Sequence, residues 1–431
     1  MQIEDIYKLY KEYPCIQTDT RKLKKDDLYF ALRGPNFNGN NFARKALDEG
    51  AAYAIVDEKL PFTDNRFIET ADVLQTLQEL AKYHRIHLDN TSGGKKIPVI
   101  AITGSNGKTT TKELLNKVMA TKYKSYTTEG NLNNHIGVPL TILKIREDVE
   151  IAIIEMGANH LREISEYCEY AMPTHGLITN CGKAHLEGFG GVENIIKGKG
   201  ELFDYLREHE GTAFVNSDDE PVIRLSAGIN KIIFYGKQGK DLKGSIISSD
   251  PFLEFNIDGA EQINVKTNLV GAYNLPNVLA AICVGRYFNI EDEKIKEAIE
   301  SYFPSNSRSQ LLKFNSNTII SDTYNANPGS MKAAIENFAA MKGDKKILML
   351  GSMMELGDES TNEHASIIYL INRYHWDDVV LVGKGFQEMK HKYISFESAL
   401  EAKEWLQRIH PKNTHILIKG SRSMQMEKVL E

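Results

Sequence analysis

Short apolar runs recur along this chain, and each stops abruptly at polar residues. The clearest covers residues 97–103, where isoleucine and valine recur without polar alternation. That is the pattern of a strand buried on both faces. Residues 151–154 stop at Glu155, 176–179 at Asn180, and 212–215 at Asn216. Between the runs lie helical spacings such as Ile195, Ile196, Leu202, Phe203 and Leu206. Strands alternating with helices predict an α/β fold on a parallel sheet, and ligands of such sheets sit beyond the carboxyl ends of the strands. The last third repeats the pattern: 346–350 runs into Gly351, 379–382 into Gly383, and 415–418 into Lys419. Three buried strands there predict a second, smaller doubly wound domain, Rossmann-like but lacking the G-x-G-x-x-G spacing of a dinucleotide site. Residues 89–96 are polar and glycine-containing, as in a linker, and a Pro/Ser/Asn cluster at 303–308 marks a second boundary. The expected organisation is three domains, 1–90, 91–304 and 305–431.

A chain of 431 residues is long enough for that many cores. Hydrophobic residues at 42%, charged residues at 26% and a formal charge of −6 describe an ordinary soluble protein. With no basic stripe, nucleic acid is not an expected partner. The four cysteines stand far apart with no C-x-x-C pair, which suits reduced thiols in a cytoplasm. The first residues, MQIEDIYKLYKEY, have no apolar core, so no signal peptide is expected. No stretch approaches the roughly 18 continuous apolar residues of a membrane span.

The candidate chemistry begins where the first strand ends. TGSNGKTTT (103–111) is a glycine-bounded turn opening a helix. Its backbone N–H groups and the helix N-terminus suit phosphates. Lys108 would reach the outer phosphates of ATP, and the Thr109 hydroxyl would ligate Mg²⁺. Ile102 stands where the general phosphate-loop pattern has glycine, leaving the shorter T-G-x-x-G-K-T-T. Glu155, at a strand end, suits Mg²⁺, or else a cap or a surface carboxylate. His185, in a glycine-rich loop just past another strand end, is either functional or structural. By periodicity alone Lys197 and Lys199 lie on a solvated helix face. Asn274 and Asn277 read equally as turn residues or as amides for an adenine edge. In DTYNANPGS (322–330), Ser330 is placed to cap the following helix, and the density of polar side chains suggests a ligand loop.

Together these phrases resemble the Mur ligases, ATP-dependent enzymes that form amide bonds in peptidoglycan synthesis. Besides TGSNGKTTT, the phrases NLNNHIGVPLTIL (131–143), IEMGANH (154–160) and NCGKAHLEGFG (180–190) match the family's central domain. DTYNANPGSM (322–331), GSMMELGDES (351–360) and IKGSRSMQME (418–427) match its C-terminal domain. NANP at 325–328 is typical of the member that adds a dipeptide, and 17–42 looks like the uridine-nucleotide segment. Two departures stand out: His135 where relatives often have an acid, and Tyr273 where a histidine is common.

The resemblance implies a monomeric cytoplasmic ligase of three domains, which bind the UDP-sugar, ATP and the amino substrate in turn. It implies that Gly104, Ser105, Asn106, Gly107, Lys108, Thr109 and Thr110 hold ATP, with Asn274, Arg308 and Asp322 at adenine, phosphate and ribose. Thr109, Glu155 and His185 would surround Mg²⁺, with Lys199 as a carbamylated ligand, and Asn134 would lie near the transferred phosphate. Thr20, Arg21, Phe30, Ala31 and Gly34 would bind UDP-MurNAc-tripeptide, and Asn325, Ala326 and Asn327 the D-alanyl-D-alanine. The implied chemistry is phosphorylation of the tripeptide carboxylate to an acyl phosphate, followed by attack of the dipeptide amine. The alternatives are a sister ligase adding a different amino acid, or a P-loop kinase or nucleotide switch.

Overall fold

The computed structural model describes residues 2–91, 96–258, 262–304 and 308–431. It divides into two compact units. The first comprises Met1–Ala101, Tyr123–Gly157 and Glu163–His175, and the second Ile102–Lys122, Ala158–Arg162 and Gly176–Glu431.

In the first unit, four parallel strands run in the order Ile16–Gln17, Leu28–Phe30, Tyr53–Val56, Phe67–Glu69. Tyr29, Ala31, Ala43, Ala46, Leu47 and Val56 form the core beside them. Small residues at 43, 46 and 54 let the short helix Ala43–Asp48 lie close to this sheet. The helix Val73–Thr91 carries His84 on its buried face, where Nδ1 lies 3.1 Å from the Tyr7 hydroxyl and Nε2 lies 2.8 Å from the Ile145 carbonyl. Ile151–Glu155 pairs in parallel with Ser125–Thr127, and Ala152 N–H donates to Pro98 O at 3.0 Å.

The expected linker needs correction at its start. The helix continues to Thr91, so residues 89–91 are helical. Buried Arg85 explains this: it pairs with Asp89 and donates to Ile97 O at 3.1 Å, while Asp89 accepts from Ile97 N–H at 3.0 Å. Residues 92–95 of that linker, and 305–307 of the second expected boundary, lie outside the described residues.

The second unit holds two sheets. In one, the order is Ile263–Val270, Phe252–Ile257, Leu242–Ser248, Lys231–Gly236, Thr212–Asn216, His175–Ile178. The expected parallel sheet is extended over 242–270 by three strands that form an antiparallel meander, which the sequence reading did not include. The strand Phe252–Ile257 alternates between half-buried and buried positions, the signature of a sheet with one wetter face. The strand Val99–Thr103 delivers its last residues to this unit, and Thr179 N–H donates to Thr103 O at 2.9 Å. The other sheet runs Gln310–Phe314, Asn317–Asp322, His415–Lys419, Lys346–Gly351, Asp378–Val382, Ile394–Phe396. The three strands expected from sequence are its centre. Only Gln310–Phe314 is antiparallel, paired with Asn317–Asp322 at the edge. Ile347, Met349, Val380, Ile416 and Trp405 pack one face of it.

Candidate functional site

The glycines of the TGSNGKTTT turn are required by what surrounds them. Gly104 adopts φ +134°, and a Cβ there would sit 2.1 Å from Thr179 Oγ1. Gly107 adopts φ +84°, and a Cβ would sit 2.4 Å from Asn277 Oδ1. A side chain at either position meets both an unfavourable backbone and a clash. The turn is fastened to the strand end beside it. Ser105 N–H donates to Asn180 O at 2.9 Å, Ser105 Oγ to Gly182 O at 2.6 Å, and Asn106 N–H to Asn180 Oδ1 at 3.1 Å. Thr179 Oγ1 and Asn180 Nδ2 both donate to Asn106 O, at 2.6 and 2.9 Å. Lys108 opens the helix Lys108–Met119, and its Nζ donates to Gly104 O at 2.6 Å. Thr109 is buried in the first turn and Thr110 is half-buried. The result is a rigid backbone cradle at the start of a three-turn helix, the arrangement that binds phosphates.

Asn274 is buried. Its Nδ2 donates to Val270 O at 2.9 Å and its Oδ1 accepts from Asn277 Nδ2 at 2.9 Å, while Asn277 Oδ1 accepts from Thr111 at 3.2 Å. Both ends of the Asn274 amide therefore serve a buried chain that fixes the helix Leu275–Tyr287 to the helix of the loop. Tyr273, the departure from the family pattern, lies 2.9 Å through its hydroxyl from Ser309 Oγ.

Glu155 ends its strand in the first unit. It is 2% exposed, its Oε1 accepts from Asn133 Nδ2 at 2.8 Å, and its N–H donates to Thr128 Oγ1 at 2.9 Å. Nothing in the sequence pattern marked Asn133 as its holder. The neighbouring Asn134 is exposed, and its Oδ1 accepts from the N–H of Gly137, the first residue of the helix Gly137–Leu143, at 2.9 Å. The carbonyl of His135, the other departure, accepts from Gln78 at 3.2 Å.

In the second unit His185 adopts a left-handed conformation at φ +55°, which is costly for a residue other than glycine. Its Nδ1 lies 2.5 Å from Glu355 Oε2, a close ion-pair approach without hydrogen-bond angles. This imidazole holds the Glu355 carboxyl below the usual carboxylate range. The solvated-face expectation for 197 and 199 splits: Lys197 is exposed, whereas Lys199 is 1% exposed. The Lys199 ammonium donates to Ala158 O at 3.0 Å and lies 5.2 Å from the Phe189 ring. Its turn of helix faces inward because Gly198 and Gly200 leave room for Phe189 and Leu225. Burial pushes the thiol of nearby Cys181 up to about 12. Among the described residues no three or more His, Cys, Asp or Glu gather as a metal cluster. Thr109 in the second unit offers a hydroxyl and Glu155, within the first, a carboxylate. Each is a hard oxygen donor of the type Mg²⁺ takes alongside phosphate and water.

The sheet that ends at Asp322 and Lys419 gathers a second set of predicted residues. Asp322 and Lys419 face each other in register across parallel strands. Lys419 Nζ lies 2.6 Å from Asp322 Oδ2 and donates to Asn325 O at 3.1 Å, although the lysine is 1% exposed. Asp322 Oδ1 also accepts from Ser309 N–H at 3.2 Å. Lys419 was missed from sequence; its one signal was a cation ending an otherwise apolar strand. Asn325 is exposed and Ala326 buried, and the Ala326 carbonyl accepts from Ser421 Oγ at 3.2 Å. Asn327 caps the helix Pro328–Ala340, with Ser330 reciprocating as the fourth residue of a capping box. The expectation that Ser330 is the cap is thus corrected by three positions. The other end of the same Asn327 amide donates to Asn106 Oδ1 of the glycine turn at 2.7 Å. Two further pairs fasten this half to the 180–190 loop: Lys183 to Glu363 at 2.6 Å, and Glu187 N–H to Glu355 O at 3.1 Å. The Arg308 guanidinium stacks 3.7 Å from the centre of the Tyr324 ring.

The uridine-nucleotide candidates are placed unevenly. Thr20 and Arg21 lie on a short turn, where exposed Arg21 pairs with Asp19 at 2.8 Å. Gly34 is exposed in the hairpin of Arg33–Gly34 with Phe37–Asn38. Phe30 and Ala31 are fully buried. Their side chains fill the core, and the Ala31 N–H already donates to Ile55 O at 3.0 Å.

Comparison with known proteins follows this geometry closely. The Mur ligase middle domain matches residues 102–285, the glutamate ligase domain of Mur ligases 307–422, and the catalytic domain of the Mur ligase family 12–85. The UDP-N-acetylmuramoyl-tripeptide–D-alanyl-D-alanine ligase of Bacillus subtilis (strain 168) is 33% identical, covering 96% of this chain and 92% of its own. A crystal structure of MurF from Acinetobacter baumannii superposes with a TM-score of 0.87 at 30% identity, over 96% of this chain and 92% of that one. MurF ligase from Thermotoga maritima, solved in complex with ADP, gives a TM-score of 0.83 at 26% identity, over 96% of each chain. Among the described residues no helix is long and apolar enough to cross a membrane.

Proposed function

The chain belongs to the Mur ligase family, and from that premise we propose that it joins D-alanyl-D-alanine to UDP-N-acetylmuramoyl-tripeptide at the expense of ATP. The observation that carries this is the Asn327–Asn106 hydrogen bond. It holds the Asn325-Ala-Asn-Pro328 phrase, the amine-substrate loop, against the phosphate cradle, as transfer of an activated acyl group to an amine requires. Near full-length similarity to the Bacillus subtilis ligase for this dipeptide supports the choice of amine.

A carboxylate is a poor acyl electrophile because oxide is a very bad leaving group. The tripeptide carboxylate oxygen attacks the γ-phosphorus of ATP and ADP departs, leaving an acyl phosphate. The dipeptide amine then attacks the carbonyl carbon, the amine loses a proton, and inorganic phosphate leaves. In this reading the loop amides of 104–107 and Lys108 hold and neutralise the phosphates, with Arg308 on the transferred group. Asp322, oriented by Lys419, binds the ribose, Asn274 borders the adenine, and Asn134 lies towards the transferred phosphate. Asn325 to Asn327 form the dipeptide loop. Thr20, Arg21, Gly34 and the backbone at Phe30 and Ala31 receive the uridine nucleotide. Mg²⁺, when bound, supplies charge neutralisation on the phosphates. In the second unit Thr109 and His185 would hold it, and Lys199 would join once carbamylated, since carbamylation replaces an ammonium by an anionic oxygen donor; Glu155 is the candidate ligand of the first unit. Three functional divisions follow, UDP-sugar binding (1–90), ATP binding (91–304) and amine binding (305–431), in a monomer of the cytoplasm.

The test is phosphate release with ATP, Mg²⁺ and UDP-MurNAc-tripeptide, with and without D-alanyl-D-alanine, together with the product mass. Release that requires both substrates and yields UDP-MurNAc-pentapeptide is expected. Release indifferent to the dipeptide, or faster with another amine, moves the protein to a sister specificity or to a kinase-like activity.

A further inference from the structure

Two guanidinium groups share one aromatic ring at the edge of the amine-substrate loop. The Arg308 Cζ lies 3.7 Å and the Arg422 Cζ 5.4 Å from the centre of the Tyr324 ring. Among the described residues neither arginine pairs with a carboxylate, and Arg308 Nε is buried without a hydrogen-bond partner. Elsewhere in the protein arginines do find acids: Arg66 with Asp64 at 2.7 Å, Arg286 with Asp292 at 2.7 Å. The ring's negative face attracts both cations but cannot neutralise two like charges held together. Such a pair suits anions that arrive with substrate.

The backbone around Arg422 is fixed to the loop it would serve. Lys419 Nζ donates to Asn325 O, and Ser421 Oγ to Ala326 O at 3.2 Å. Ser421 also accepts from Met354 N–H at 2.9 Å. Arg422 follows directly, exposed, on the short turn Arg422–Met424. The reaction proposed above brings phosphates, the tripeptide carboxylate and the carboxylate of the amine substrate. Arg308 is allotted to phosphate, and the tripeptide carboxylate is converted to the acyl phosphate. The carboxylate at the far end of the amine substrate must be held but never activated. We propose that Arg422 is the residue that recognises the terminal carboxylate of the amine substrate, presenting its planar fork to both oxygens while Tyr324 holds the guanidinium in plane. This makes Arg422 a specificity determinant: an amine without that carboxylate loses the contact. The inference rests on the amine-ligase reading of this site.

The experiment compares kcat/KM for D-alanyl-D-alanine and for D-alanyl-D-alaninamide, which lacks the negative charge, in wild type, Arg422→Met and Arg422→Lys. Wild type should favour the acid by roughly 100-fold, the size of one charge-assisted bidentate contact. Arg422→Met should lose roughly that factor on the acid alone, leaving the amide rate and the KM for ATP unchanged, and Arg422→Lys should recover part of it. An equal fall on acid and amide, or a rise in the KM for ATP, overturns the assignment. If wild type ignores D-alanyl-D-alanine, the dipeptide reading fails by itself. The same acid-to-amide ratio, measured on whichever amine is accepted, then decides Arg422 independently.

Discussion

His84 supplies a pH dependence whose size follows from its surroundings. It is 4% exposed, between the Tyr7 hydroxyl and the Ile145 carbonyl. The neutral ring satisfies both: Nε2–H donates to the carbonyl and Nδ1 accepts from Tyr7. Burial is the main reason its pKa falls from 6.5 to about 4, with Arg146, His87 and Lys11 adding repulsion. A histidine depressed in the folded state leaves stability intact above the unfolded pKa. The loss begins as pH drops below about 6.5 and is complete only below the folded value. The linkage gives a loss of about 2 kcal/mol by pH 5 and about 3 kcal/mol by pH 4. The assay is urea unfolding followed by far-UV circular dichroism, because both tryptophans, Trp376 and Trp405, lie in the other unit. His84→Gln retains an amide donor for Ile145 and cannot titrate. Wild-type stability minus variant stability should shrink by about 2 kcal/mol between pH 7.5 and 5. A difference constant over that range would refute the argument that burial keeps this ring neutral.

Two other substitutions probe the catalytic half. Gly104→Ala places a methyl 2.1 Å from Thr179 Oγ1 at φ +134°, so it should cost about 1–3 kcal/mol of strain and raise the KM for ATP at least about tenfold. Thermal unfolding and initial rates that match wild type would show that the turn is not braced as described. Lys199→Ala should lower kcat roughly 100-fold, and added short-chain carboxylates should restore part of it if a carbamate is the working form. Failure of every small acid to rescue would remove that role.

What could be seen in the sequence was local. Runs such as 97–103 and 346–350 could be read as strands because lack of alternation is itself the signal, and the glycine turn stood out because two glycines lead directly into a lysine and three threonines. Contacts made at long range had no such mark. Asn133 holding Glu155, and Lys419 holding Asp322 across two strands, join side chains that composition treats as ordinary polar residues. Periodicity put Lys199 on a wet face because it counts spacing and not neighbours; the flanking Gly198 and Gly200 decided otherwise. Phe30 and Ala31 matched a motif, and the spacing of that motif gave no sign that their side chains belong to the core. The antiparallel meander was missed because its strands alternate buried with more exposed positions and so lack the continuous apolar runs that marked the others.

Asn327 holds a helix start with its oxygen and the glycine turn with its nitrogen. Positions 106 and 327 are 221 residues apart in the chain, yet one hydrogen bond ties the choice of side chain at one to that at the other. Aspartate at 327 would cap the helix equally well while setting an oxygen against the Asn106 oxygen, so drift at one position calls for an answering change at the other. Paired substitution across these two distant segments is therefore the trace this contact should leave among related sequences.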